Sequence, residues 1–237
     1  MNEHSISGRL SAIQADLLEG VRLVAVSKFH PIPALLEAYD AGQRLFGENR
    51  PQEFAAKVPQ MPADVEWHFI GHLQTNKLKL VLPYASLVQS VDSIHLLDAI
   101  QQWAAANDRT ISVLLELHLG AEETKHGLFE GEIRNILTAA VSPTGANPYA
   151  NIRFCGLMGM ATNTEDEAVI RKDFERIGRL FSTIRSELAA VDSPSAQDLS
   201  TSFRELSIGM SGDWRIALEY GATMVRIGTD IFGPREY

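Results

Sequence analysis

Eight short apolar runs, separated by helical patterns, constrain this chain more than any other feature of its sequence. The runs are 21–26, 44–47, 66–71, 86–91, 110–117, 152–158, 204–208 and 223–227. Runs such as Val21-Arg22-Leu23-Val24-Ala25-Val26 read as buried strands. Between them apolar residues return at helical spacing. The leading segment places Ile6, Leu10, Ile13 and Leu17 on one face. The longest, over 165–190, does the same with Ile170, Phe174, Ile177, Phe181, Ile184 and Leu188. Further helices are expected over 31–41, 52–58, 76–82, 93–107, 130–140 and 214–220, with polar loops over 142–150 and 191–202. Eight strand–helix alternations in 237 residues predict an α/β fold, a single (β/α)8 TIM barrel spanning residues 1–237. The N-terminal helix is then an extra that could cap the barrel floor. The rival architecture is an open, doubly wound sheet of eight strands.

Composition narrows the function classes. Lys and Arg total 21 against 30 Asp and Glu, for a net charge of −9. Such a surface repels nucleic acid and anionic membranes but leaves room for a local anion pocket. The single cysteine, Cys155, allows neither an internal disulfide nor a cysteine-rich zinc site. The first twenty residues carry acids and no apolar core run, unlike a signal or transit peptide. A cytoplasmic location is expected.

Barrels place their chemistry in the loops after the strands, and often hold phosphate after strands 7 and 8. Here those loops are Ser207-Ile208-Gly209-Met210-Ser211-Gly212-Asp213 and Arg226-Ile227-Gly228-Thr229-Asp230. Glycine lets backbone N–H groups approach a phosphate, and Ser or Thr adds a donor. Read alone, each is also an ordinary capped turn. Lys28 emerges at the rim just after the first run. It is either a surface lysine or an amine able to form a Schiff base with a carbonyl. Arg226 alternates with Val225 and Ile227, which points it into the barrel if those two face the helices. A buried arginine needs a partner: an internal acid such as Glu48 or Glu116, or a cofactor's heteroaromatic nitrogen. Asn49 and His68 are candidates for orienting a ligand. His68 and His72 have an i, i+4 spacing that suits a metal on a helix, but this stretch reads as strand and turn. No metal is expected.

The segments Val-Ser-Lys (26–28), Phe-Gly-Glu-Asn (46–49), His-Phe-Ile-Gly-His-Leu-Gln-Thr-Asn-Lys (68–77), Lys-His-Gly (125–127), Gly-Leu-Met-Gly-Met (156–160), Ser-Ile-Gly-Met-Ser-Gly-Asp (207–213) and Met-Val-Arg-Ile-Gly-Thr-Asp-Ile-Phe-Gly (224–233) occur in this order. Together they resemble the pyridoxal phosphate homeostasis protein family, from about residue 20 to the end. The 68–77 and 224–233 segments are the most specific. The family's fold is similar to the N-terminal barrel of alanine racemase. The resemblance implies that Lys28 holds pyridoxal 5'-phosphate (PLP, the vitamin B6 cofactor) as a covalent internal aldimine. Ser211, Gly228 and Thr229 would hold the phosphate, with Met210 nearby and Ser207 as a weaker candidate. Arg226 would face the pyridine nitrogen, and Asn49 would lie near the ring. Arg50-Pro51, His118 and the 142–150 loop depart from the family pattern and bear on loop geometry.

The resemblance implies a PLP carrier or regulator in PLP homeostasis, with no catalytic residues and no established catalysis. Its partners would be PLP and PLP-dependent apoenzymes, and a monomer is expected. Arginine stays protonated, so a ring nitrogen bonded to it tends to stay unprotonated, which weakens the ring as an electron sink. The alternatives are a PLP-dependent racemase-type enzyme and a phosphate-binding barrel enzyme using Lys28 on its substrate. The racemase of the resemblance has a second, all-β domain; few residues follow the eighth strand here, and no such domain is expected.

Overall fold

The computed structural model describes residues 5–120, 126–142 and 147–234. Eight parallel strands close into a barrel in sequence order: β1 (Arg22–Val26), β2 (Leu45–Glu48), β3 (Glu66–Phe69), β4 (Leu87–Val91), β5 (Ile111–Glu116), β6 (Ile152–Met158), β7 (Glu205–Met210) and β8 (Met224–Ile227). Closure runs through β8 and β1, with Val24 opposite Arg226. The rival open sheet is therefore excluded.

The helices are α1 (Ile6–Asp16), α2 (Ile32–Asp40), α3 (Pro51–Lys57), α4 (Leu78–Val81), α5 (Ile94–Ala106), α6 (Glu130–Ala140), α7 (Glu167–Ala190), α8 (Pro194–Ser202), α9 (Trp214–Glu219) and α10 (Thr229–Phe232). α7 buries the six residues that its spacing selected, and Leu180 as well. Each such side chain contributes roughly 1.5–3 kcal/mol when fully buried. Among the described residues no helix is long and apolar enough to cross a membrane.

Two expectations are corrected. α1 does not cap the floor. It packs on α2 and α10, with Arg9 Nε donating to the Ile231 carbonyl at 2.6 Å and Arg215 reaching Asp16 at 2.7 Å. The 191–202 segment is not all loop, since α8 occupies most of it. The Ser193 hydroxyl caps the Ala196 N–H, Pro194 stands in the first turn, and only Ala196 and Leu199 are buried. So few apolar residues leave almost no periodicity to read, whereas cap and proline suffice to start a helix. Residues 143–146, in the middle of the expected 142–150 loop, lie outside the described residues.

The side chains inside the barrel separate from those facing the helices. Val24, Leu45, Leu87, Leu114, Met158 and Met224 form their own small apolar cluster. Val225 and Ile227 join the main core while Arg226 is buried on the opposite face of β8, as the alternation implies. The floor, at the N-terminal ends of the strands, is polar and paired. Arg22 bonds Glu66 at 2.6 Å and approaches Glu205 at 3.8 Å. The mouth, at the opposite ends, opens into a cavity.

Candidate functional site

The first wall of the cavity grows from the end of β1. Ser27 is fully buried, and its hydroxyl donates to Glu48 Oε1 at 2.6 Å. Lys57, at the end of α3, sends its ammonium to the same Glu48 oxygen at 2.7 Å, to Glu53 at 2.6 Å and to the Ser27 carbonyl at 2.8 Å. Glu53 in turn accepts the Phe29 N–H at 2.7 Å. The residues on both sides of Lys28 are thus tied to one buried ion cluster. Phe29 has φ 68°, a left-handed conformation that costs a non-glycine residue about 1 kcal/mol or more. The Glu53 bond and the Arg50 guanidinium, 4.4 Å over the Phe29 ring, hold it there. The departure at Arg50-Pro51 is therefore built into this turn, with Pro51 opening α3. Burial raises the Glu48 carboxyl above its ordinary value, opposed by Lys57.

A hydrogen-bonded chain crosses the barrel interior from floor to mouth. Glu66 bonds His68 Nε2 at 3.0 Å. Gln89 Nε2 donates to His68 Nδ1 at 2.7 Å, and Gln89 Oε1 accepts from the Ser207 hydroxyl at 2.7 Å. Arg226 then donates to the Ser207 hydroxyl at 2.7 Å, to its carbonyl at 2.8 Å and to the Gly159 carbonyl at 3.0 Å. Burial lowers the His68 pKa, so the ring stays neutral, with its Nε2 proton on Glu66 and Nδ1 accepting. Glu66 is held at about 2, first by this bond and then by Arg22. Burial lowers the Arg226 guanidinium to about 10, still charged at neutral pH.

The expected roles of His68 and Ser207 are corrected by this chain. Both are fully buried, neither lines the cavity, and each already has its hydrogen-bond partners in the barrel. Arg226 has backbone and hydroxyl partners in place of the ion pair considered for it; Glu116 acts on it only through the field.

The loops after β7 and β8 form the second wall. The turn after β7 closes on itself, with the Met210 N–H donating to Asp213 Oδ1 at 2.6 Å and the Asp213 N–H returning to the Met210 carbonyl at 3.0 Å. Gly209 has φ 91°, and a Cβ there would press on Ala217 and Trp214. Gly228 packs against β1, where a Cβ would lie 3.1 Å from the Val26 carbonyl. Glycine at both positions lets the two loops draw close around the mouth.

Lys28, Asn49, Met210, Ser211, Arg226, Gly228 and Thr229 all line one cavity of about 730 Å3. Asn49 Oδ1 is buried there without a hydrogen-bond partner among the described residues. An unpaired buried acceptor costs about 1–3 kcal/mol, which a ligand donor can recover. Three acids line the cavity, Asp92, Glu116 and Asp213, and Glu116 is pushed up to about 7 by burial and then by the charge of Asp92. The buried ion cluster under Lys28 escaped sequence reading, because no spacing signals that Lys57 turns inward. A second group also escaped it: His72, Asp92 and His126 gather on the cavity wall. Only its members' sequence distance hid it.

The chain matches the alanine racemase N-terminal domain family over residues 2–236. It is 34% identical over 224 residues to a pyridoxal phosphate homeostasis protein of Vibrio alginolyticus, covering 92% of this chain and 88% of the relative. It is 36% identical over 227 residues to the protein of that description in Homo sapiens, covering 91% and 77%. Among solved structures it is similar to PipY of Synechococcus elongatus at 32% identity, covering 97% of this chain and 100% of PipY. The TM-score is 0.85 for the structure without PLP and 0.82 for that with PLP bound.

Proposed function

The chain belongs to the alanine racemase N-terminal domain family and, within it, to the pyridoxal phosphate homeostasis proteins, and from that premise we propose that it binds PLP in the barrel mouth and serves PLP homeostasis. The observation that carries this reading is the convergence of a lysine, a buried arginine, an unpaired amide oxygen and two glycine-bearing loops on one cavity. PLP supplies an aldehyde that an amine can hold covalently, a phosphate, and a ring that withdraws electrons.

The roles proposed here follow from the donors present. Lys28 is the amine for the aldehyde, covalently attached, and the Lys57–Glu48–Glu53 cluster fixes its turn. Ser211, Gly228 and Thr229 supply hydroxyl and backbone donors to the phosphate, with Met210 beside them. Arg226 faces the ring nitrogen, and Asn49 offers its free oxygen near the ring. Because Arg226 keeps its charge, it donates a hydrogen bond and withholds a transferable proton. That favours carriage of the cofactor over carbanion chemistry, and we read the protein as a cytoplasmic, monomeric carrier or regulator without catalysis. Its macromolecular partners are PLP-dependent apoenzymes. A racemase-type activity is the second reading, favoured by the family's fold.

The test is the absorption spectrum of purified protein with added PLP, wild type beside Lys28→Ala. A visible band in wild type that survives desalting and is lost in the folded variant supports the reading. No band in folded wild type sinks it. Racemisation of amino acids by pure loaded protein would decide for the second reading.

A further inference from the structure

Three residues far apart in sequence meet on the cavity wall opposite the β7 and β8 loops. His72 lies in the loop after β3, Asp92 directly after β4, and His126 after β5. Their nearest ligand atoms all lie within 4.8 Å of one another. His72 Nδ1 is 2.7 Å from Asp92 Oδ2, and His126 Nδ1 is 3.8 Å from the same oxygen. The two imidazoles stack at 4.3 Å between centroids. Two nitrogens therefore converge on one carboxylate oxygen.

The burial of the three groups is unequal in an informative way. The Asp92 side chain is 4% exposed, and its second oxygen accepts from the Ser93 hydroxyl at 3.2 Å. That bond fixes the carboxylate while the two histidines, 49% and 63% exposed, remain free to adjust. A bare His–Asp pair would need only one imidazole. The second, brought by a different loop to the same oxygen, has no hydrogen-bond distance to it and so gains little from the carboxylate alone.

We propose that His72, Asp92 and His126 form a divalent-cation site of the zinc class at the rim of the cavity. Zinc bonds imidazole nitrogen and carboxylate oxygen at about 2.0–2.2 Å, which places tetrahedral ligands roughly 3.3 Å apart. The two separations to Asp92, 2.7 and 3.8 Å, bracket that value, and with all three ligand atoms within 4.8 Å of one another the exposed histidines need close by at most about 1.5 Å. Two imidazoles and one carboxylate suit zinc, cobalt or iron(II) and not magnesium or calcium, which want oxygen ligands. Three protein ligands leave the fourth position open toward the cavity, where a carboxylate or amine of a small ligand would bind. The site stands on these three residues and does not depend on PLP binding.

The test uses untagged, metal-stripped, PLP-free full-length protein titrated with Co2+ and, by calorimetry, with Zn2+. The expected result is one equivalent of each bound, with visible ligand-field bands for cobalt. His72→Ala and His126→Ala should each weaken zinc binding more than about tenfold, since even outer-shell partners of a metal site cost that much. Thermal unfolding of the apo His126→Ala variant should match wild type, because that side chain is 63% exposed and lies beyond hydrogen-bond distance of Asp92. The proposal is overturned by absence of saturable binding in wild type, by undiminished binding in either variant, or by equal binding of Mg2+. Retention of the PLP band in a protein that ignores cobalt would reject this site and leave the cofactor reading standing.

Discussion

The two ends of the barrel treat their carboxylates in opposite ways. At the floor Glu66 is held at about 2 by a neutral histidine and an arginine, and every group of its chain has a partner. At the mouth Glu116 is pushed up to about 7 because it is buried and faces the charge of Asp92. Asn49 Oδ1, also at the mouth, has no hydrogen-bond partner among the described residues. The floor is a finished structure whose hydrogen bonds are satisfied internally. The mouth carries unspent polar groups, which cost stability in the free protein and become useful when a ligand meets them. A single hydrogen-bonded chain links the two ends through Gln89, Ser207 and Arg226.

The contrast makes opposite demands on pH, and the largest effect belongs to Glu116. Its folded value lies above the ordinary 4.5, so the unfolded chain loses its proton first. Stability should fall as pH rises from about 4.5 to about 7, by on the order of 3 kcal/mol for so buried a group. Glu66 has the reverse sign: its contribution is present above 4.5 and lost as pH falls toward about 2. It is more than a third exposed, so screening by solvent reduces its share to about 1 kcal/mol. Urea unfolding between pH 3 and 8 checks both, with Glu116→Gln expected to flatten the upper limb only. A Glu116→Gln protein that keeps the wild-type slope would remove the carboxyl from the mouth's account.

A smaller effect tests whether the floor is separable from the mouth. Gln89→Leu leaves His68 Nδ1 without its donor and the Ser207 O–H without its acceptor, and should cost about 1–3 kcal/mol in urea unfolding. Arg226 retains its bonds to the Ser207 and Gly159 carbonyls, so the PLP spectrum should keep its wild-type position. A displaced band in this variant would mean that floor and mouth act as one device. Asn49→Ala carries the smallest effect on stability. It deletes an acceptor that is buried without a partner, so it should cost no stability, any change being a gain, while weakening PLP binding roughly tenfold. Equal loss of stability and binding would place Asn49 in the framework instead.

Much of this is legible in the sequence. The α7 face could be read from spacing because helix burial repeats at 3.6 residues. Arg226 inside the barrel could be read from the two-residue alternation of β8. The seven proposed cofactor residues come from four separate stretches of chain, and barrel closure alone brings them to one cavity. α8 and the position of α1 were not legible, since both depend on which surfaces are left uncovered once the barrel has closed.

Local pattern decided the elements, their order and the faces that turn inward, because these follow from periodicity, caps and the chirality of strand–helix–strand connections. It also marked Lys28 and the two glycine-bearing loops as candidates. Only the tertiary structure decided who meets whom. Lys57 reaches back under Lys28, Ser207 and His68 turn out to be already engaged, and His72, Asp92 and His126 close on one oxygen. Distances of 2.6–3.8 Å between residues twenty or more positions apart are set by how the whole barrel packs, and no short-range pattern encodes them.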